Sequence, residues 1–134
     1  MCPQGSDKMR EKFLKLKIDG YVQSRDLYED KNFLVLTSYY LDKSRHNLET
    51  ANLLFKLSED SQSKKALTLR EDYFAYDWVI GASYYAMFHA ATAALGGLGL
   101  RARTHECLIE VLEYLFVHKR KILGTEMKIG RENV

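Results

Sequence analysis

His89 is the residue of this 134-residue chain whose type and setting best suit proton transfer. It lies in the apolar string Ala86-Met87-Phe88-His89-Ala90. An imidazole titrates near neutrality, so it can take or give a proton at physiological pH. In an apolar setting it also needs partners for both ring nitrogens. Tyr85, four residues earlier, shares its face if the segment is helical. His105, at the start of the next helical pattern, could face His89 across a hairpin. Each of these has a plainer reading. His89 could be a satisfied core histidine. Tyr84 and Tyr85 could be core aromatics with solvated hydroxyls. His105, close to Arg103, could simply open a helix.

Other chemistries lack their signatures. The four histidines show no HxxxH or HExxH pairing, and Cys2 and Cys107 lack metal-ligand spacing. No metal and no cofactor is expected. The GGLG string has neither the preceding strand nor the lysine of a phosphate loop, and no serine sits in a nucleophile elbow.

Helices must position these residues. Pro3 is the only proline, which favours long helices over a loop-rich β design. Residues 7–17 read as a short amphipathic helix, punctuated by Asp19-Gly20. Leu27, Leu34, Leu41, Leu48 and Phe55 recur every seven residues and predict a long helix over 24–58. Its weak stretch is 32–41, where Phe33, Val35, Thr37 and Tyr39 alternate as in a strand. Residues 58–63 read as a loop and 64–69 as a short helical turn. A third helix is predicted over 70–95 and is stopped by Gly96-Gly97-Leu98-Gly99. Its small residues Ala82, Ala86, Ala90 and Ala93 let a neighbouring backbone come close. Thr104 suits the N-cap of a fourth helix, with Glu106 in its first turn. The stripe of that helix is His105, Leu108, Ile109, Leu112, Leu115 and Phe116. Together these predict an all-α, up-and-down bundle of four to five helices with one long N-terminal helix. The chain reads as a single domain over 1–134. Residues 1–20 form an N-terminal extension and 119–134 a short charged tail.

Composition agrees with a folded domain. Hydrophobic residues make up 46% and charged residues 28%, which excludes a largely disordered chain. Net charge is +2, and residues 1–67 carry 12 basic and 10 acidic groups against 8 and 8 in the rest. Neither half is a basic arm that binds nucleic acid by charge alone. The one local excess is Lys119, Arg120, Lys121, Lys128 and Arg131. The 23 residues from Trp78 to Leu100 contain no Asp, Glu, Lys or Arg. Their tyrosines, histidine and glycines argue for a buried central helix rather than a membrane span. The placement of the cysteines argues against a structural disulfide and fits a reducing cytosol. The start MCPQGSDKMR has no signal-peptide shape, so a cytoplasmic location is expected.

The strings GASYYAMFHAATAAL and GLGLRARTHECLIEVLEYLFV resemble the HEPN superfamily, and its small bacterial and archaeal single-domain members most of all. Tyr84, Tyr85, Ala86, Phe88, His89, Ala90 and Ala91 match the hallmark helix. Gly99, Thr104 and His105 match the loop and the start of the next helix. The match covers residues 79–117. The resemblance implies a helical bundle that is usually a homodimer, with its polar residues near the dimer cleft. Many members are metal-independent endoribonucleases that activate the ribose 2′-hydroxyl and stabilise charge on the phosphate. Many are toxins paired with a small nucleotidyltransferase as antitoxin. Others are non-catalytic RNA-binding or assembly modules.

One departure bears on activity. The family pattern places an arginine seven residues before the histidine, two turns away on the same face. That position is Ala82 here. Negative charge developing on phosphate needs a fixed cation or dipole. On this resemblance His89 and His105 are the candidate catalytic residues, with Arg101, Arg103 and Tyr85 as candidate phosphate or substrate contacts. The sequence therefore supports first a non-catalytic RNA- or partner-binding module. The alternative is a metal-independent ribonuclease using His89 with a non-standard arginine.

Overall fold

The computed structural model describes residues 4–119. The basic residues from Arg120 onward, most of the expected tail, lie outside that range, as does Cys2. The fold is an all-α helical bundle with one small departure, a two-stranded ribbon. In chain order the elements are α1 (Gln4–Ser24), β1 (Leu27–Glu29), a 3-10 helix (Lys31–Leu36), α2 (Thr37–Glu59), α3 (Ser61–Ala66), α4 (Tyr76–Gly96), β2 (Leu100–Ala102) and α5 (His105–Leu112). A π-helical turn, Glu113–His118, continues α5. The chain groups into two compact units. The first runs up to Ser38 and resumes at Ala91, and the second is Tyr39–Ala90.

In the first unit, α1 and α5 form an antiparallel pair. Leu14 of α1 is fully buried, as are Cys107, Val111 and Leu115 of the opposing segment. A polar seam borders this contact. Arg10 donates two hydrogen bonds to the Glu113 carboxylate, at 2.9 and 2.8 Å. Lys17 reaches Glu106 at 3.2 Å, and the Tyr21 hydroxyl donates to Glu110 at 3.0 Å. The carboxyl of Glu113 is held below its ordinary range by the bond from Arg10. Helix α1 runs straight through Asp19-Gly20, because its packing outweighs the turn preference of that pair. It ends in a Schellman motif: Asp26 N–H donates to Tyr21 O at 2.9 Å and Arg25 N–H to Val22 O at 3.3 Å. Arg25 occupies the left-handed position of that motif, φ 62°.

The long helix expected over 24–58 begins only at Thr37. Residues 27–29 pair instead with 100–102 in an antiparallel ribbon, with Leu27 opposite Ala102 and Tyr28 opposite Arg101. The Asp30 carboxylate then caps the 3-10 helix through Asn32 N–H. The heptad spacing is real, but its residues occupy different structures. Leu27 is buried in the ribbon, while Leu41, Leu48 and Phe55 are exposed on α2. At the end of α4 the glycine cluster acts as expected, and only Gly99 among the described glycines is left-handed, φ 74°. Gly96 has a different role. A Cβ there would meet the Phe33 ring at 2.7 Å, so the missing side chain lets Phe33 seat against the helix.

Thr104 caps α5 as predicted, accepting from Cys107 N–H at 3.1 Å. The buried face of α5 and its π-helical continuation is Cys107, Leu108, Val111, Tyr114 and Leu115, rotated from the expected stripe. Ile109 and His105 point to solvent.

The second unit is held by polar clasps at its turn. The buried Ser58 hydroxyl donates to Leu54 O and accepts from Ala75 N–H, both at 2.8 Å. Lys64 is buried too, donating to Glu71 O at 2.8 Å with its ammonium 4.3 Å from the Phe74 ring centre. These bonds organise residues 67–75, so α4 starts at Tyr76 rather than near Arg70. The Ser44 hydroxyl of α2 donates to Ala86 O of α4 at 2.6 Å, the close approach that the alanine stripe permits. Helix α4 is not the buried central helix expected. Trp78 is 74% exposed, Ile80 70% and Met87 66%.

The contrast between Leu14 and the heptad leucines is testable. Leu14→Ala should cost about 2–5 kcal/mol by denaturant unfolding, the range for a fully buried leucine. Leu48→Ala should change stability by less than about 0.5 kcal/mol.

Candidate functional site

His89 lies in the second unit, on the face of α4 turned toward α2. Spacings of three and four bring Tyr40, Lys43 and Ser44 of α2 to Tyr85, Ala86 and His89 of α4. The imidazole lies between two tyrosine rings, Tyr40 at 5.8 Å and Tyr85 at 6.1 Å between ring centres. Phe88 lies at 5.6 Å. Tyr85 meets the histidine as a ring, at an interplanar angle of 27°. Nδ1 of His89 is buried and has no hydrogen-bond partner. Burial, together with the positive charge of Lys43, lowers the His89 pKa below its ordinary value. Both causes favour the neutral ring.

Lys43 is the residue that sequence reasoning missed. No Lys or Arg lies between Trp78 and Leu100, and the cations nearest in sequence are Arg101 and Arg103. The structure supplies one from α2. Its ammonium lies 5.1 Å from the Tyr39 ring centre and has no ion-pair partner among the described residues. The available signal was the Tyr39-Tyr40-x-x-Lys43 spacing on a helix that had to pack near His89.

The remaining candidates belong to the first unit. Arg101, on β2, is engaged there: its guanidinium is 4.9 Å from the Phe33 ring centre and 3.8 Å from the Asp30 carboxylate. Arg103 follows β2, its backbone N–H bonded to Asp26 O at 2.8 Å and its side chain exposed along an open groove. His105 is the exposed first residue of α5.

Cys107 can be set aside as a nucleophile. It is fully buried, and burial pushes its thiol up to about 12, aided by the nearby acids Asp26 and Glu110. Among the described residues no three His, Cys, Asp or Glu side chains gather as a metal site, and no helix is long and apolar enough to cross a membrane. Compared with protein-family models, curated proteins and solved structures, the chain finds no match.

Two outcomes follow. In an NMR titration the His89 ring should titrate below the ordinary histidine value, and Lys43→Gln should move the midpoint upward, because a like charge is removed. The unfolded chain binds the proton more readily, so this site favours the fold above pH 6.5 and loses that contribution as pH falls. A Cys2→Ser variant should show no rapid thiol reaction under native conditions and one thiol after denaturation.

Proposed function

We propose that this chain is a HEPN-type helical protein that acts as a non-catalytic binding module, assembling first with a second copy of itself. Its further partner is RNA or a nucleotidyltransferase-type antitoxin. The observation that carries this reading is the outer surface of the second unit. Ile80 and Met87, seven residues apart on one side of α4, stand mostly in solvent, and Leu48 and Phe55, seven apart on one side of α2, are half exposed. Scattered apolar residues are ordinary on a surface, but so many large ones in a unit of this size mark a surface that is covered in use. A second subunit buries such a face twice with one set of residues. Ala82 supports the non-catalytic part, since the position that should carry the phosphate-stabilising arginine carries a methyl group.

A second reading, a metal-independent endoribonuclease, is favoured by one observation. Burial and the charge of Lys43 both disfavour the protonated His89 ring. A neutral imidazole is competent to take the proton of a ribose 2′-hydroxyl, and an ammonium beside it can meet the phosphate.

Sedimentation should give a dimer mass, against 15.6 kDa for one chain, and Ile80→Glu with Met87→Glu should return it to monomer. A wild-type monomer at tens of micromolar would overturn the self-assembly. RNA cleavage in excess chelator should be equal, or absent, in wild type and His89→Ala prepared side by side. Cleavage lost in His89→Ala would replace the binding reading with the nuclease, and Lys43→Gln should then lose it too.

A further inference from the structure

Helix α1 has two faces. Leu14 anchors it against α5, and its solvent side carries Met9, Phe13 and Leu16. These three stand at spacings of four and three, which form one stripe of a helix. Met9 and Leu16 are mostly in solvent, and Phe13 is half exposed. Where the stripe ends there is a hollow of about 490 Å³, bordered by Phe13, Leu16, Lys17, Gly20, Tyr21 and Ser24. Asp26 closes its far end.

The spacing of those six residues suits another helix. A side chain of one helix that packs on a second enters the space between four residues at i, i+3, i+4 and i+7. Phe13, Leu16, Lys17 and Gly20 frame one such space, and Lys17, Gly20, Tyr21 and Ser24 frame the next. Gly20 belongs to both and leaves them open, since a Cβ there would meet nothing within 4 Å. The polar groups around the hollow are already bonded. Lys17 reaches Glu106 at 3.2 Å, the Tyr21 hydroxyl donates to Glu110 at 3.0 Å, and the Ser24 hydroxyl donates to Asp26 at 3.0 Å. Such walls offer little to a small polar ligand and suit an apolar side chain.

Charge narrows the choice of helix. Lys8 and Lys12, one turn apart, are exposed along one flank of the stripe, and neither has an ion-pair partner among the described residues. On the flank toward α5, Arg10 and Lys17 are matched to Glu113 and Glu106. A second copy of α1 would bring the same lysines together. Residues 120–134 carry four basic and two acidic side chains, so they do not complement this flank either. From these features we infer that this face of α1 receives an amphipathic helix of a partner protein, acidic along one edge. Its apolar side chains enter the two spaces that share Gly20, and its acidic edge meets Lys8 and Lys12. This surface lies within the first unit, and the inference is independent of His89 and of the outer face of the second unit.

The test is fluorescence anisotropy of a labelled peptide titrated with the full chain. The peptide is three repeats of Leu-Ala-Gln-Leu-Glu-Ala-Gln, which puts leucines on one face and glutamates along one edge. Its counterpart carries lysine in place of each glutamate. The glutamate peptide should bind about tenfold or more tighter than the lysine peptide. Lys8→Glu with Lys12→Glu should reverse that preference. Gly20→Leu fills the hollow, with room for its side chain and a gain in helix propensity, and should weaken the glutamate peptide about tenfold or more. Thermal melts of these variants separate lost affinity from lost fold. No binding of the glutamate peptide, equal binding of the two peptides, or binding unchanged by Gly20→Leu overturns the proposal. Cosedimentation with vesicles of phosphatidylcholine and phosphatidylserine tests a membrane as occupant. Gly20→Leu adds apolar surface there, so vesicle binding that this variant strengthens assigns the face to a membrane and overturns the partner helix. A wild-type dimer that Gly20→Leu dissociates assigns the face to a second copy and overturns it equally.

Discussion

The backbone bond from Asp30 N–H to Gly99 O, at 2.8 Å, joins two stretches of chain that are far apart in sequence, and the first unit is arranged around it. Asp30 serves this junction in several ways at once. Its carboxylate caps the 3-10 helix through Asn32, its carbonyl accepts from Phe33 N–H, and its second carboxylate oxygen meets Arg101 at 3.8 Å. Gly99 answers with the left-handed backbone that brings its carbonyl round. From this junction the ribbon register follows, and with it the seat of Phe33 against Gly96. The groove that holds Arg25 and Arg103 flanks the same ribbon. A short ribbon is weak by itself. Here it lies among buried Leu27, Leu98 and Leu100, and the core holds the pairing as much as the pairing orders the core.

The second unit is built on different terms. Its buried residues are few and mostly small or polar: Ala51, Ser58, Lys64, Ala75 and Ala86, with Leu57 the one large aliphatic. Burying Lys64 and Ser58 is tolerable only because each polar head finds a backbone partner. Such clasps fix a turn, but they contribute little of the apolar burial that stabilises a domain. The large apolar side chains of α2 and α4 that would supply it face outward. This imbalance is the physical ground for the proposal that a partner covers the unit.

The sequence made some of this legible because the signal was local. Thr104 as a cap needs only its own turn, and the stop after α4 needs only a left-handed Gly99. The ribbon was not legible, because three-residue strands carry no usable period and their pairing is decided by residues more than seventy positions away. The heptad leucines show the converse failure. A seven-residue period says that side chains share a face if the chain is helical. It does not say that the chain is helical throughout, or that anything covers the face. Leu27 and Leu48 share the period and nothing else. Arg25 was illegible for a third reason: a left-handed helix end is advertised by glycine, and the chain puts an arginine there.

His89 shows how far a residue's type can be trusted once its surroundings are known. A core histidine chosen for packing would have both nitrogens paired, since a buried unpaired nitrogen costs about 1–3 kcal/mol. Nδ1 here is buried and unpaired between two tyrosine rings, and Lys43 adds a like charge that penalises the protonated ring. An apolar ring of the same shape would be neutral or more stable at this position. Violations of this kind gather where a chain is constrained by something other than folding. The imidazole is therefore poorly explained by the packing of α4 on α2 alone. Its unbonded nitrogen and the neighbouring like charge are costs that this packing leaves uncompensated.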